Sequence, residues 1–174
     1  SRAGELSNVT IYQGFAMDLY DYMKPEAKDS FSIETMFVGP LERICMEWGV
    51  GSYKPHSFSD LGQVALKAAP NKVVFSATPP DKDGYVNKSC FGSFHPRKEC
   101  LEPAEVVICE INSYLPWCCG EDFKVHISEI DYFIENHNPI FELPEIPITD
   151  VEDRMAEYIV EMIPDGSTIQ LGFG

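Results

Sequence analysis

KVVFSAT, residues 72–78, is a nearly continuous apolar run that ends in small and polar residues. Runs of this kind are typical of a central strand in a parallel sheet that is covered on both faces. A helical pattern follows at residues 95–101, and EVVICEIN at residues 105–112 is a second run of the same kind. Because parallel strands need a crossover connection, this order predicts an α/β fold with a mostly parallel sheet flanked by helices.

The same alternation extends in both directions from these two runs. Toward the N-terminus the patterns predict strands at residues 9–12, 31–38 and 52–58, and helices at residues 40–48 and about 61–69. Toward the C-terminus they predict short strands at residues 123–127 and 132–135. Cys109, inside the second apolar run, is predicted to be a small buried strand residue.

The C-terminal stretch TDVEDRMAEYIVEMIPDGSTIQLGFG begins with a helix start signal. Thr149 and Glu152 have the spacing of a capping box, and apolar residues then recur at helical spacing. A turn, a predicted strand at residues 168–171 and a glycine turn at residues 172–174 follow. Prolines at residues 138–148 predict an extended linker. We therefore expect an α/β domain at residues 1–137, a linker at 138–148, and a helix, strand and glycine turn at 149–174.

Charge and cysteine usage argue against several functional classes. The formal net charge is −15, which disfavours a general nucleic-acid-binding surface and docking to anionic membranes. No apolar run approaches the ~20 residues that span a bilayer. The six cysteines lack the spacing of a metal site. We expect reduced thiols, no metal and a cytoplasmic location. Both ends of the chain resemble cuts, so we also expect a fragment of a longer protein, incomplete at both ends, or one piece of a nicked protein.

In parallel α/β sheets, ligands collect at the carboxyl ends of the strands. This rule points to residues 78–84 and 112–117. Pro79, Pro80 and Gly84 either shape one wall of a pocket or form a conformationally demanding turn. Asn112 either hydrogen-bonds a substrate or closes a loop.

The glycine turn at the end of the chain is a third candidate. Gly172 and Gly174 follow a predicted strand, and glycines there let backbone N–H groups approach a ligand. The alternative is a glycine-rich turn without a ligand.

Several separated motifs resemble the acetyl-CoA hydrolase/transferase family, which includes 4-hydroxybutyrate and butyryl-CoA:acetate CoA-transferases. The matching stretches are TPPDKDGYVN, AEVVICEIN, VHISEIDYFIE, ELPEI and IPDGSTIQLGFG. The resemblance extends from about Val9 to the last residue. It implies the CoA-transferase (NagB/RpiA-like) fold, in which two tandem α/β domains have the active site between them. This chain would cover most of the first domain and the opening strand toward the second.

The resemblance also implies the chemistry. Family enzymes use a glutamate nucleophile downstream of the glycine turn, outside this chain, so we assign no catalytic residue here. Glu110 and Glu129 lie in matching motifs, but we expect both to be hydrogen-bonded or solvated carboxylates. The turn formed by Gly172, Phe173 and Gly174 fits an oxyanion loop. Phe173 stands where a smaller aliphatic residue is expected.

The implied function is transfer of coenzyme A between short-chain carboxylates such as acetate, butyrate and 4-hydroxybutyrate, through a glutamyl-CoA thioester. Acyl-CoA is then a substrate and not a permanently bound cofactor. The implied partners are the C-terminal half of the same enzyme and further copies in a homo-oligomer. The alternatives are an acyl-CoA hydrolase of the same fold and a non-catalytic module that binds acyl-CoA or another protein.

Two sets of side chains are weaker candidates. Aromatic residues either line an apolar acyl site or belong to the core: Tyr85, Phe91 and Trp117. Cationic residues either meet CoA phosphates or form a solvated helix end: His95, Arg97 and Lys98. His126 is expected to be a half-buried histidine with a hydrogen-bond partner.

Overall fold

The computed structural model describes residues 5–91, 98–142, 145 and 147–172. The chain forms two compact units, residues 1–141 and residues 142–174. Among these described residues, the first unit contains three sheets and most of the secondary structure, and the second contains one helix.

The first sheet has three parallel strands in the order β1-β2-β3. Its strands are β1 (Val9–Gln13), β2 (Phe31–Thr35) and β3 (Gly51–Tyr53), and α1 (Pro40–Glu47) connects the last two. Short 3-10 turns at Asp21–Met23 and Pro25–Ala27 connect β1 to β2. Its core includes Met23, Ile33 and Cys45, which are almost fully buried.

Two of these strands are shorter than predicted. The strand expected at residues 31–38 ends at Thr35, whose hydroxyl donates to the carbonyl oxygens of Gly14 and Phe37 and so turns the chain. The strand expected at residues 52–58 is β3, which stops before Pro55. Proline has no N–H to donate to a strand ladder.

The second sheet is also parallel, in the order β4-β6-β8. Helices α2 (Leu61–Ala68) and α3 (Lys98–Leu101) precede β4 (Lys72–Ala77) and β6 (Val106–Ile111), respectively, and β8 is Tyr132–Glu135. An antiparallel pair, β5 (Tyr85–Asn87) with β7 (Lys124–His126), lies between these strands in sequence. The expected helix at residues 95–101 is described only from residue 98 onward. The parallel α/β architecture is thus as predicted.

The prediction that residues 72–77 form a central strand covered on both faces is wrong. Val73, Phe75 and Ala77 are buried, whereas Val74 is 65% exposed. The alternation shows that one face of β4 packs into the core while the other is open within the described part of the chain. The strand is not central either, because β6 is the middle strand of the described sheet and β4 lies beside it. Cys109 on β6 is fully buried, as predicted.

The second unit contains α4 (Asp150–Val160), and its start is as predicted. Thr149 Oγ1 accepts from the Val151 N–H (3.3 Å), and the Thr149 N–H donates to Glu152 Oε2 (2.9 Å). The hydrogen bonds from Thr149 lower the pKa of Glu152. This reciprocal pairing is a capping box, and the acidic first turn suits the positive end of the helix dipole.

The prediction of a strand at residues 168–171 is wrong for the described residues. These residues have no regular secondary structure, and Leu171 is 87% exposed. A strand needs a neighbouring strand to receive its backbone hydrogen bonds, and the described residues provide none to this segment.

We expect Thr149→Ala to accelerate hydrogen exchange at the first turn of α4 about fivefold, because a lost N-cap costs about 1 kcal/mol of helix stability. The Val151 amide, which donates to the Thr149 side chain, is the reporter. Thr168→Ala is the matched control, since Thr168 lies in the same unit outside regular structure. An unchanged exchange rate at Val151 would show that the cap contributes nothing in solution.

Candidate functional site

The carboxyl ends of β4, β6 and β8 point the same way because these strands are parallel. The chain leaves the three strands at Thr78, Asn112 and Asn136. Ligands of open α/β sheets bind at this edge. The side chains and turns that follow each strand are therefore the candidates for contact with a ligand.

The turn after β4 is closed by its own hydrogen bonds. Asp81 Oδ1 accepts from the N–H groups of Asp83 and Tyr85, both at 2.9 Å, and the Asp81 N–H donates to the Tyr85 carbonyl (2.8 Å). Pro79 and Pro80 are exposed on this turn, and Gly84 lies in the left-handed region with φ +82°. Of the two interpretations of Pro79, Pro80 and Gly84, these contacts favour a conformationally demanding turn over one wall of a pocket.

Gly84→Ala is expected to destabilise the protein by about 1–2 kcal/mol, because a side chain is strained in the left-handed region. A Cβ at this position would also lie 3.0 Å from His126 Nε2. Urea unfolding measures the change. Gly166→Ala tests the conformational part alone, since Gly166 has φ +83° and open space around its Cβ. Equal stability of Gly84→Ala and the wild type would contradict the assigned turn.

Asn112 closes two loops with its side chain. Asn112 Nδ2 donates to the Asn138 carbonyl (2.8 Å), and Oδ1 accepts from the Tyr114 N–H (3.0 Å). Its backbone N–H continues the ladder to Ala77 O (2.9 Å). The loop-closing interpretation of Asn112 is therefore supported by direct contacts.

A polar network that sequence reasoning missed joins β6 to the segment after β8. Ser76 Oγ donates to Glu110 Oε2 (2.7 Å), and Asn136 Nδ2 donates to Glu110 Oε1. Asn138 Nδ2 in turn donates to Asn136 Oδ1 (2.7 Å). Glu110 is thus a hydrogen-bonded carboxylate, as predicted. The signal that could have revealed the network is NHN, residues 136–138, directly after a predicted strand.

His137 is part of the same edge. Its Nδ1 accepts from the Ser113 N–H (3.1 Å), so in the neutral ring the proton resides on Nε2. His137 and Tyr114 are both exposed. The edge therefore offers amide, imidazole and phenol groups, which can hydrogen-bond a carbonyl or a carboxylate without adding a fixed positive charge.

A buried polar cluster holds the loop that follows Asn112. Asn87 is fully buried, and its side chain pairs with both backbone groups of Cys118: Nδ2 donates to O (2.9 Å) and Oδ1 accepts from N–H (3.1 Å). Ser89 is fully buried as well, and its hydroxyl donates to the Pro116 carbonyl (2.6 Å). Sequence analysis did not find these residues, because their partners lie 27–31 residues away.

The weaker candidates lie in varied surroundings. Tyr85 meets the His126 ring edge-on at 5.0 Å, and Trp117 is 42% exposed. His126 is half-buried, and its ring Nδ1 lies 2.8 Å from Ser128 Oγ, as predicted for a histidine with a hydrogen-bond partner. The backbone N–H of His126 donates to Glu129 Oε1 (3.2 Å), so Glu129 is a hydrogen-bonded carboxylate, as predicted. Lys98 faces Glu102 on the exposed surface. The side chain of Phe91 lies outside the described part of the structure, and so do the residues His95 and Arg97.

The glycine turn is only partly described. Gly172 is exposed in the second unit, and Phe173 and Gly174 lie outside the described residues. Their role as an oxyanion loop stays a prediction.

Cys109 and the arrangement of metal-ligating side chains were considered in the sequence, and the structure describes both. Burial raises the pKa of Cys109 to about 12, so this thiol is protonated at neutral pH. In the described ranges no group of three or more His, Cys, Asp or Glu side chains is arranged to hold a metal ion.

Among the described helices, none combines the length and apolar character required to cross a bilayer.

Similar structures confirm the predicted CoA-transferase fold. RipA from Yersinia pestis superposes with a TM-score of 0.85 at 24% identity, over 99% of this chain and 42% of RipA. A 4-hydroxybutyrate CoA-transferase from Porphyromonas gingivalis superposes with a TM-score of 0.63 at 24% identity, over 97% of this chain and 45% of that protein. At this identity the likeness concerns the fold alone.

Sequence relatives and a family model identify the same protein family. A 4-hydroxybutyrate coenzyme A transferase of Clostridium kluyveri is 32% identical over 91% of this chain, and a butyryl-CoA:acetate CoA-transferase of Anaerostipes caccae is 34% identical over 99%. The chain spans about two fifths of the length of these curated relatives, 37% and 40%. The model of the acetyl-CoA hydrolase/transferase N-terminal domain matches residues 3–144. The chain therefore belongs to the acetyl-CoA hydrolase/transferase family.

Proposed function

We propose that this chain is the N-terminal part of an acyl-CoA:carboxylate CoA-transferase that acts on short-chain carboxylates such as acetate, butyrate or 4-hydroxybutyrate. The observation that carries the proposal is the match of residues 3–144 to the family's N-terminal domain. The names of the relatives support it, because they are named for CoA transfer to or from small carboxylates.

The proposed reaction divides one exchange into reversible steps. A glutamate carboxylate, supplied by polypeptide beyond this chain, attacks the acyl-CoA carbonyl and expels the CoA thiolate, which leaves a mixed anhydride. The thiolate then attacks the glutamyl carbonyl, releases the first carboxylate and forms a glutamyl-CoA thioester. The incoming carboxylate takes CoA by the reverse of these steps. Covalent catalysis of this kind replaces one difficult step by two easier ones.

The described residues support binding and orientation in this scheme. Asn112, Asn136 and Asn138 fix the carboxyl edge of the second sheet through side-chain hydrogen bonds. We propose that His137 Nε2 and Tyr114 OH, both on exposed side chains, hydrogen-bond the substrate carbonyl or carboxylate at this edge. Local hydrogen-bond donors are needed at this edge, because the overall field of a chain of net charge −15 repels anionic substrates.

We also propose how this chain is organised within the whole enzyme. Residues 1–137 would form the CoA-transferase-like domain, 138–148 the linker, and 149–174 the passage into the second half of the enzyme. Gly172, Phe173 and Gly174 would supply N–H donors to the oxyanion of each tetrahedral intermediate. Acyl-CoA enters as a substrate, and the enzyme would assemble as a homo-oligomer in the cytoplasm.

Isotope exchange tests the function in the protein with its complete natural sequence. We expect labelled acetate to enter the acyl-CoA pool when butyryl-CoA is present, without net release of free thiol. Net thiol release at the same rate would identify a hydrolase instead. Binding of butyryl-CoA with neither reaction would identify a non-catalytic module.

The 174-residue chain alone is expected to show no exchange of labelled acetate into butyryl-CoA, because the nucleophilic glutamate lies outside it. The same assay on the complete protein is the positive control. Exchange catalysed by the purified chain, at a rate that scales with its concentration, would place the nucleophile within these residues and contradict the proposal.

A further inference from the structure

The register of the second sheet places Glu110 between two hydrogen-bond donors. On β4, Ser76 lies directly opposite Glu110, and its hydroxyl donates to Oε2 (2.7 Å). On the other side Asn136, the residue that follows β8, donates from Nδ2 to Oε1. The half-buried carboxylate therefore joins β6 to β4 on one side and to the segment after β8 on the other.

The two contacts of the Glu110 carboxylate favour an anchoring role over a catalytic one. Each of its oxygens holds a donor, from Ser76 on one side and Asn136 on the other. A nucleophile or a general base needs a carboxylate oxygen that is free to meet the substrate. Hydrogen bonds to an ionised acceptor are also stronger than those between neutral groups. Glu110 is thus built to hold its neighbours in place.

The Asn136 side chain transmits this constraint to residues 136–138. An ionised carboxylate only accepts hydrogen bonds, so Asn136 turns its NH2 group toward Glu110 and its Oδ1 away. That oxygen accepts from Asn138 Nδ2 (2.7 Å), and the Asn138 N–H donates to the Asn136 carbonyl (3.1 Å). The Asn136 N–H donates to Ile111 O (3.0 Å). His137 lies between these two asparagines in a segment that is held from both ends.

The held segment contacts the loop that follows β6. Asn138 O accepts from Asn112 Nδ2 (2.8 Å), and Asn112 Oδ1 accepts from the Tyr114 N–H (3.0 Å). His137 Nδ1 accepts from the Ser113 N–H (3.1 Å). A continuous set of hydrogen bonds and short backbone links therefore connects Glu110 to the two exposed side chains that we propose as substrate contacts.

We propose that Glu110 is a positioning residue for substrate binding, which holds His137 and Tyr114 in their binding orientation through Asn136. This inference rests on the proposed function, in which those two side chains hydrogen-bond the substrate carbonyl or carboxylate. Residues 136–138 are exposed, so water competes for their hydrogen bonds, whereas Glu110 is half-buried. Loss of Glu110 loosens the two contacts without removing them, so it weakens substrate binding more than it slows the chemical steps.

Steady-state kinetics of the protein with its complete natural sequence test this inference, with butyryl-CoA and acetate as substrates. Glu110→Ala is expected to raise the KM of both about fivefold and to change kcat less than about twofold, the pattern of a lost uniform binding contact. Glu110→Gln is expected to restore KM to within about twofold, because an amide can accept from Asn136 and donate to Ser76. Glu135→Ala is the matched control, since Glu135 is exposed at the end of β8.

A second comparison separates positioning from a general loss of stability. In a protein that already carries His137→Ala and Tyr114→Phe, Glu110→Ala is expected to change KM less than about twofold, because residues that act as one unit are not additive. A further fivefold rise there overturns the inference. If Glu110→Ala fails to fold, Asn136→Asp serves instead. It preserves the size of the side chain but cannot donate to Glu110, and the same rise in KM is expected.

The outcomes distinguish the inference from the function on which it rests. CoA transfer with an unchanged KM in Glu110→Ala overturns the inference and leaves the function standing, and so does an equal rise in the Glu135 control. If the wild type transfers no CoA, the proposed function fails, and the calorimetric Kd of butyryl-CoA replaces KM in the same comparisons. A rise in Kd that Glu110→Gln reverses supports the inference, whereas an unchanged Kd or no binding overturns it.

Discussion

Glu42→Ala is expected to lower the free energy of unfolding by about 3 kcal/mol, since an unsatisfied buried donor costs about 1–3 kcal/mol and this change leaves two. The two donors are the N–H groups of Ala16 and Gly39. Glu42 is 1% exposed, so water does not replace the lost carboxylate without opening the structure. Urea unfolding followed by circular dichroism measures the change.

The control for this variant is Glu47→Ala. Glu47 ends the same helix but is exposed, so its replacement is expected to change stability by less than about 0.5 kcal/mol. Similar losses in the two variants would show that helix propensity, and not the buried carboxylate, sets the stability of this region. A loss below about 1 kcal/mol for Glu42→Ala would contradict the assigned pairing.

Asn87→Ala is expected to lower the free energy of unfolding by about 3 kcal/mol, by the same cost of unsatisfied buried groups. The lost side chain pairs with the N–H and carbonyl of Cys118 and accepts from the Ser89 N–H at 2.9 Å. Hydrogen exchange at the Cys118 and Ser89 amides is expected to accelerate beyond the change in global stability, because the loop loses its anchor.

Asn71→Ala provides the comparison for Asn87→Ala. Asn71 is an exposed asparagine beside β4, so its loss is expected to cost well under 1 kcal/mol. Slow exchange at Cys118 in Asn87→Ala, with stability close to that of the wild type, would mean that the loop is held by other contacts. Ser89→Ala separates the two halves of the cluster, because it removes the hydroxyl that donates to the Pro116 carbonyl and leaves the Asn87 side chain with its partners.

The sequence was most informative where a local pattern decides the outcome. The strands at residues 72–77 and 106–111 were predicted from apolar runs, and the start of α4 from the spacing of Thr149 and Glu152. Asn112 was singled out because it follows a strand, and it does lie at the carboxyl edge of the second sheet. Parallel topology made that position predictable.

The errors arose where distant partners decide the outcome. The exposure of Val74 depends on what packs on that face of the sheet, which no local pattern encodes. Residues 168–171 have the composition of a strand, but a strand also needs a neighbour. Glu42 falls in a helix where glutamate usually faces water, and its two amide partners lie in separate loops. Asn87 is buried by a loop 31 residues away.

The open face of the second sheet has a consequence for how the purified chain behaves. Val74, Tyr132 and Ile134 are 65%, 62% and 52% exposed on a molecule of net charge −15. Mutual repulsion keeps such molecules apart in dilute buffer, but the screening length falls from about 30 Å at 0.01 M salt to about 3 Å at 1 M. Added salt will therefore let the apolar faces approach one another, and light scattering will rise with ionic strength.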